Sequence, residues 1–270
     1  MTLHEELNKK KGKKQPVPNI ILNQNDQNQI FQAFFLNFMN ENQSIISDIF
    51  YGVSHTITKC SGCPFFKHNF EAFFFLIFPL EEVRKFKLNE LSALSRNMMN
   101  MNMMMNMNNM YIMNKISLLN ANQVDILDCF EFNQKAERFF GENAMYCNNC
   151  RAQLPSIYQT FLYTAPEILI LVLNRGVGIQ FKIKLNFPEI LDLRAYFEAS
   201  QMVGGIYELI GVVTHMGESG SSGHFVATCK SPIDHKWYQY NDDLVFYQSD
   251  FQKQILNYAM PYILFYQKRS

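Results

Sequence analysis

The chain is 270 residues long and 48% hydrophobic, and its 24 Lys+Arg are balanced by 24 Asp+Glu, for a formal net charge of +0 at pH 7. That length and apolar content allow a sizeable core, in one large domain or one domain with a subdomain, while the neutral balance supplies no field to draw in nucleic acid or an anionic membrane. The opening Met1-Thr2-Leu3-His4-Glu5-Glu6 lacks the apolar core of a signal peptide, and no stretch approaches the ~18 uncharged apolar residues of a membrane span. An intracellular chain, cytoplasmic or nuclear, is expected, whose six cysteines serve as thiols or metal ligands rather than disulfides.

Residues 1–26 read as a basic and polar tail, with the solvated run Lys9-Lys10-Lys11-Gly12-Lys13-Lys14; a nuclear-import or docking segment is the alternative. Ile30, Phe34 and Phe38, with Phe31 and Phe35 beside them, recur at helical spacing and predict an amphipathic helix whose aromatic face is core. From 96 to 114 the chain is almost wholly Asn and Met. Thioethers suit Cu(I), but a low-complexity insertion in a poorly ordered surface loop fits a chain with no other copper feature. Ile126, Cys129, Phe130 and the Phe139-Phe140 pair read as a short helix. Strands follow: the apolar run Glu167 to Leu173 as one buried on both faces, the alternating Phe181 to Leu185 as a half-exposed one, then Tyr207 to Thr214, His224 to Cys229, Lys236 to Tyr240 and Tyr262 to Gln267. Helices first and a mostly antiparallel sheet last make the class α+β.

Two thiol turns stand out, Cys60-Ser61-Gly62-Cys63 and Cys147-Asn148-Asn149-Cys150. Each points two sulfurs at one place, and together they make a closed four-thiolate site suited to structural zinc. Their separation far exceeds the ~15 to 20 residues of a compact zinc module, so unmetallated loop thiols, or competition from His68, remain alternatives. A second chemical signal lies near the C-terminus, where His224 follows a Gly/Ser loop and opens an apolar run, with Trp237-Tyr238-Gln239-Tyr240-Asn241-Asp242-Asp243 shortly after. A His followed by an Asn on the next strand is the base and orienter half of a Cys-His-Asn site.

Taken in order, these segments resemble the ubiquitin-specific proteases, papain-like deubiquitinases built of fingers, palm and thumb. Ile49-Phe50-Tyr51-Gly52 leading to Cys60-Ser61-Gly62-Cys63 and Phe70-Glu71 is similar to the first finger segment. Leu127-Asp128-Cys129-Phe130, Gly141-Glu142-Asn143 and Tyr146 to Cys150 are similar to the second, and Pro166 to Arg175 to a palm strand. Gly211 to His215, Gly223-His224-Phe225, Trp237 to Asp243 and Pro261 to Tyr266 follow the order of the family's His box. The resemblance implies fingers around 50–80 and 140–165, a palm over 166–269, a partial thumb, zinc-ribbon-like fingertips and ubiquitin as partner of a monomer, within a domain running from 27 to 269. It also implies His224 as general base, Asn241 as its orienter, Asp242 as a neighbouring acid, and a Met216 to Gly223 loop over the ubiquitin tail.

Departures from the family pattern matter as much. Nothing before Gln27 resembles the family's Cys box. Cys229 lies five residues along the strand from His224, about 16 Å away and on the opposite face, and Cys129 matches a buried position. Asn174 and Gly176 replace the Lys and Phe that usually flank the palm arginine, and Phe225 replaces a Tyr. Three expectations follow: a ubiquitin-specific protease whose N-terminal third, with the nucleophile cysteine, is missing from this chain, a catalytically inactive pseudoenzyme that binds ubiquitin as a scaffold, or a zinc-containing interaction domain without a ubiquitin role.

Overall fold

A computed structural model of the chain describes residues 3–9, 26–100, 107–176, 182–198, 204–217, 222–251, 255–256 and 260–269. The short helix α1 (Leu3–Leu7) comes first. Behind it the Lys9 N–H donates to the Gln43 carbonyl at 2.8 Å and Asn8 to that of Glu41, so the start of the expected tail is tied down by main-chain hydrogen bonds. Lys10 to Lys14 lie outside the described residues. Helix α2 (Gln27–Asn42) starts where the Asp26 carboxylate accepts the Asn28 and Gln29 N–H groups, which satisfies two donors left open by the first turn. Its aromatic face is not the main core. Ile30, Phe31 and Phe34 pack on a separate cluster of Val53, Phe70 and Tyr163, and Phe35 and Leu36 stay exposed. A helix lying across one sheet face rather than between layers covers only one stripe of itself.

Helix α3 (Ile45–Phe50) opens on a reciprocal Ser44–Ser47 cap. Strands β1 (Gly52–Cys60) and β2 (Phe66–Phe73) then pair antiparallel, with the first thiol turn in their connection. Strand β3 (Leu76–Pro79) leads into α4 (Leu80–Asn100), and α5 (Met107–Asn120) packs beside it. This corrects the expectation of a surface loop over 96–114: both flanks of the Asn/Met stretch are helical, and only 101–106 lie outside the described residues. Met is a good helix former, and the register of α5 is held from within, since Ile112, Lys115 and Leu119 form one buried stripe.

Strand β4 (Gln123–Asp125) is followed by α6 (Ile126–Asn133), whose Asp128 carboxylate accepts the Asp125 N–H at 2.9 Å and faces Lys115 Nζ at 2.9 Å. The helix ends there. Phe139, expected in it, belongs to strand β5 (Glu137–Phe139), because pairing with β8 (Ser156–Thr164) overrides the short apolar spacing. Between them, β6 (Met145–Cys147) and β7 (Ala152–Leu154) form a small hairpin that carries the second thiol turn.

The fingers are the sheet β2-β1-β8-β5. The palm is an eight-stranded sheet of β15-β14-β13-β12-β16-β9-β3, with β11 paired to β12. Its members are β9 (Ile168–Asn174), β11 (Ile190–Asp192), β12 (Ile206–Met216), β13 (His224–Lys230), β14 (Trp237–Asn241), β15 (Leu244–Tyr247) and β16 (Pro261–Lys268). All pairings in it are antiparallel except β3 with β9. Strand β10 (Lys184–Asn186) pairs parallel with β4 instead, so the expected strand from Phe181 begins later; Phe181 itself lies outside the described residues. The run expected to be buried on both faces alternates: Leu169, Leu171 and Leu173 are buried, while Ile168, Ile170 and Val172 are half-buried. The buried face meets the core of α4, α5 and α6, and α3 also packs on the strand. Strand β15 is an edge strand whose four apolar residues, Leu244-Val245-Phe246-Tyr247, are all exposed.

Candidate active site and metal centre

His224 opens β13 and pairs with Met216 at the end of β12. The backbone there bends around another imidazole: a Cβ on Gly223 would lie 2.3 Å from His215 Cε1, and one on Gly217 would lie 2.7 Å from the same atom. Only glycine permits that approach. His215 is itself buried, held between the rings of Phe225 and Tyr262 at 4.8 and 5.4 Å. On β14, the strand next to β13, Asn241 comes last, and the two-residue turn Asp242-Asp243 returns the chain to β15, with Asp242 at φ +50° as such a tight turn demands.

This hairpin brings Asn241 Oδ1 to 2.5 Å from His224 Nε2 and Asp242 Oδ2 to 3.7 Å from the same nitrogen. The structure therefore brings the three residues singled out in the sequence together. An amide oxygen accepts, so Nε2 carries the proton, and in the neutral imidazole Nδ1 is left with the lone pair. Asp242 is beyond hydrogen-bond reach and highly exposed. The His224 side chain is 43% exposed, with its ring open to a partner.

None of the six cysteines is hydrogen-bonded to His224. Cys229 lies at the far end of β13, paired with Gly211 and Tyr238, with burial raising its thiol pKa. Cys129 is fully buried in α6, where burial and then the charge of Asp128 push its thiol well above the usual range. Neither has the lowered pKa and the access of a nucleophile.

The other four cysteines converge. The sulfurs of Cys60, Cys63, Cys147 and Cys150 all lie within 4.8 Å of one another, with Cys63 Sγ and Cys147 Sγ 3.7 Å apart. Two closely held CxxC turns with no disulfide among them are the donor set of a tetrahedral thiolate centre. The electrostatics agree. Hydrogen bonds from Asn149 and the Phe65 N–H pull the Cys63 thiol down to about 6, while Cys150, beside Cys63 and Cys147, is pushed up to about 12. Cys60 is raised too, although the Gly62 N–H works against desolvation and the neighbouring thiols. Four sulfurs in one spot cannot all ionise without a cation between them. His68, weighed as a competing ligand, is engaged elsewhere: its Nδ1 lies 2.9 Å from His55 Nε2.

That contact belongs to a network the sequence reading missed. His55 is 0% exposed, stacked on Phe70 at 4.4 Å, and its Nδ1 meets Glu198, whose other oxygen accepts from Gln27 Nε2 at 2.6 Å. It ties α2, the finger strands and the segment after β11 together. The one available signal was a polar residue at the alternating apolar position between Val53 and Ile57. Arg175, noted only as a palm arginine, is buried and donates to the carbonyls of Pro261 (2.6 Å) and Ile183 (2.5 Å), with burial lowering its pKa to about 10.

A four-thiol fingertip joined to a palm sheet that carries a His–Asn pair is the architecture of a ubiquitin-specific deubiquitinase. The family model described as ubiquitin carboxyl-terminal hydrolase matches residues 1–266, and the chain belongs to that family. The match takes in residues 1–26, which the sequence reading had set apart. Ubiquitin carboxyl-terminal hydrolase 17-like protein B of Mus musculus is 37% identical over 142 residues, 51% of this chain and 29% of that protein. Ubiquitin carboxyl-terminal hydrolase 48 of Rattus norvegicus is 32% identical over 127 residues, 44% of this chain and 12% of that protein. Among solved structures, the SAGA DUB module of Ubp8, Sgf11, Sus1 and Sgf73 bound to monoubiquitin superposes with a TM-score of 0.59 at 23% identity, covering 90% of this chain and 46% of the other. A yeast SAGA DUB module gives the same TM-score at 22% identity, covering 90% and 48%. The chain thus spans less than a third of these curated relatives and about half of the solved chains. No helix among the described residues is long and apolar enough to cross a membrane.

Proposed function

We propose that this chain is the fingers and palm of a ubiquitin-specific protease, binding ubiquitin between the two and supplying the base half of a thiol-dependent deubiquitinating site. The observation that carries the proposal is the hydrogen bond of Asn241 Oδ1 to His224 Nε2, which leaves Nδ1 as the basic atom. In the completed site Nδ1 takes the proton of a cysteine thiol contributed by a further segment. The thiolate attacks the carbonyl carbon of the isopeptide bond at the ubiquitin C-terminus, and the same imidazole returns the proton to the departing lysine amine. A water then hydrolyses the thioester by the same base, with Asn241 holding the ring throughout. Cys60, Cys63, Cys147 and Cys150 hold one structural zinc that fixes the fingertip. The six reduced thiols fit a cytoplasmic or nuclear setting.

A second reading, a non-catalytic ubiquitin-binding module, is favoured by the lack of any cysteine bonded to His224. Treatment with an electrophilic ubiquitin-tail probe and intact-mass analysis separates the two. The chain alone gives no adduct. A protein extended by the family's Cys-bearing segment gives one, which His224→Ala abolishes; if the extended protein binds ubiquitin by NMR titration yet forms no adduct, the binding-module reading stands instead. An adduct on Cys129 or Cys229 would overturn the assignment of the site.

A further inference from the structure

The fingertip carries a feature that neither ubiquitin cleavage nor the thiol cluster requires. Lys59, Ile157, Arg138 and Phe66 stand side by side on one face of the finger sheet, since Lys59 pairs with both Phe66 and Ile157, and Ile157 with Arg138. Beside Lys59, Arg138 and Ile157 opens a pocket of 280 Å³ walled by Phe139, Phe140 and Pro155, with Cys60 of the thiol cluster also in its lining. Its lip is apolar and uncovered: Phe140 is 70% exposed, and Ile157 is also among the exposed large hydrophobic residues. The volume is below the ~300 Å³ at which pockets begin to take whole small ligands, so it suits one bulky side chain.

The charges at the rim are of one sign. Among the described residues Arg138 makes no ion pair, and Lys59 has only the Phe66 ring, 5.7 Å from its Nζ. The acid nearest along the chain, Glu137, points to the opposite face of the strand and pairs with Lys135 at 3.3 Å. A partner that filled the apolar floor without bringing acids would leave two cations desolvated and unmatched.

We infer that this fingertip pocket receives a leucine- or phenylalanine-sized side chain from an acidic peptide segment of a partner protein, with Lys59 and Arg138 holding the flanking carboxylates. The side chain supplies buried apolar area and the two cations set the sign and register of the segment.

A short fluorescein-labelled peptide of alternating Glu and Leu, titrated into the intact chain and followed by anisotropy, tests the inference. Saturable binding is expected, about tenfold or more weaker when Lys replaces Glu or Ser replaces Leu in the peptide, and weaker again at high salt. The pair Lys59→Glu and Arg138→Glu should cost a similar factor. Phe140→Ser, at an exposed position that does not threaten the fold, should do so independently, with the thermal transition as a check. Equal binding of the three peptides, or indifference to both the charge reversal and Phe140→Ser, would overturn the inference. Displacement of the peptide by unlabelled ubiquitin would overturn it as well, because the pocket would then be part of the ubiquitin groove.

Discussion

Replacing His55 by Phe keeps a ring against Phe70 and removes two polar contacts at once. Glu198 then keeps only its bond to Gln27 Nε2 at 2.6 Å, and His68 Nδ1 loses the partner it has at 2.9 Å. His55 is 0% exposed and the Glu198 side chain 15%, so water restores little of what is lost. Each buried group left unsatisfied costs about 1–3 kcal/mol. Partial access to solvent puts His68 at the low end of that range, and the total comes to about 2–4 kcal/mol. At roughly 2–4 °C per kcal/mol for a chain of this size, the melting temperature falls by about 4–16 °C. Urea unfolding of His55→Phe, Glu198→Gln and the double variant measures both the loss and the coupling, expected at about 1–3 kcal/mol. A His55→Phe loss under about 0.5 kcal/mol, or strict additivity with Glu198→Gln, would refute the view that this network binds α2 to the fingers.

The isolated chain should carry about one zinc, lost when Cys147→Ser and Cys150→Ser are combined; metal analysis that finds well-folded, zinc-free protein argues the other way. Because Cys60 and Cys150 are raised above the ordinary thiol value, metal displaces at least these two protons, and apparent zinc affinity should rise at least about 100-fold per pH unit between pH 6 and 8 in a competition titration. His68 is lowered by burial and then by His55; its folded pKa lies below its unfolded one, so its stabilising effect is complete above pH 6.5 and is lost as pH falls below it, a slope that His68→Gln should flatten in pH-dependent unfolding. Gly223→Ala forces a methyl within 2.3 Å of the His215 ring and should lower stability by about 1–3 kcal/mol, with loss of the Asn241–His224 hydrogen bond visible in the imidazole NMR shifts.

Much of this architecture was legible in the sequence, wherever a signal was local and periodic. The strands β12 and β14, the residues of the His box and the two CxxC turns each announce themselves within a few residues, and in the structure Asn241 reaches His224 at 2.5 Å with Asp242 at 3.7 Å. What failed depended on partners distant in the chain. Phe139 went to a strand because β8 was there to pair with it, and the Asn/Met flanks became helix because Ile112 and Leu119 give α5 a buried seam. The aromatic stripe of α2 was rightly seen as a packing face, yet periodicity cannot tell a small satellite cluster from the main core. The role of His55 was missed for the same reason: its carboxylate partner is 143 positions away.

Among the described residues, strand β15 closes one side of the palm, paired to β14 along one side and to no strand along the other, with four apolar side chains exposed. Such an edge is a template for any other extended chain, and here no lysine or proline within the strand discourages one. With a formal net charge of +0 at pH 7, neighbouring molecules do not repel one another either. The concentrated protein should therefore be colloidally unstable near neutral pH, and its solubility should improve when Val245→Lys interrupts the run. The same strand adjoins the turn that positions Asn241, so a second chain paired to it would lie beside the His224–Asn241 hydrogen bond.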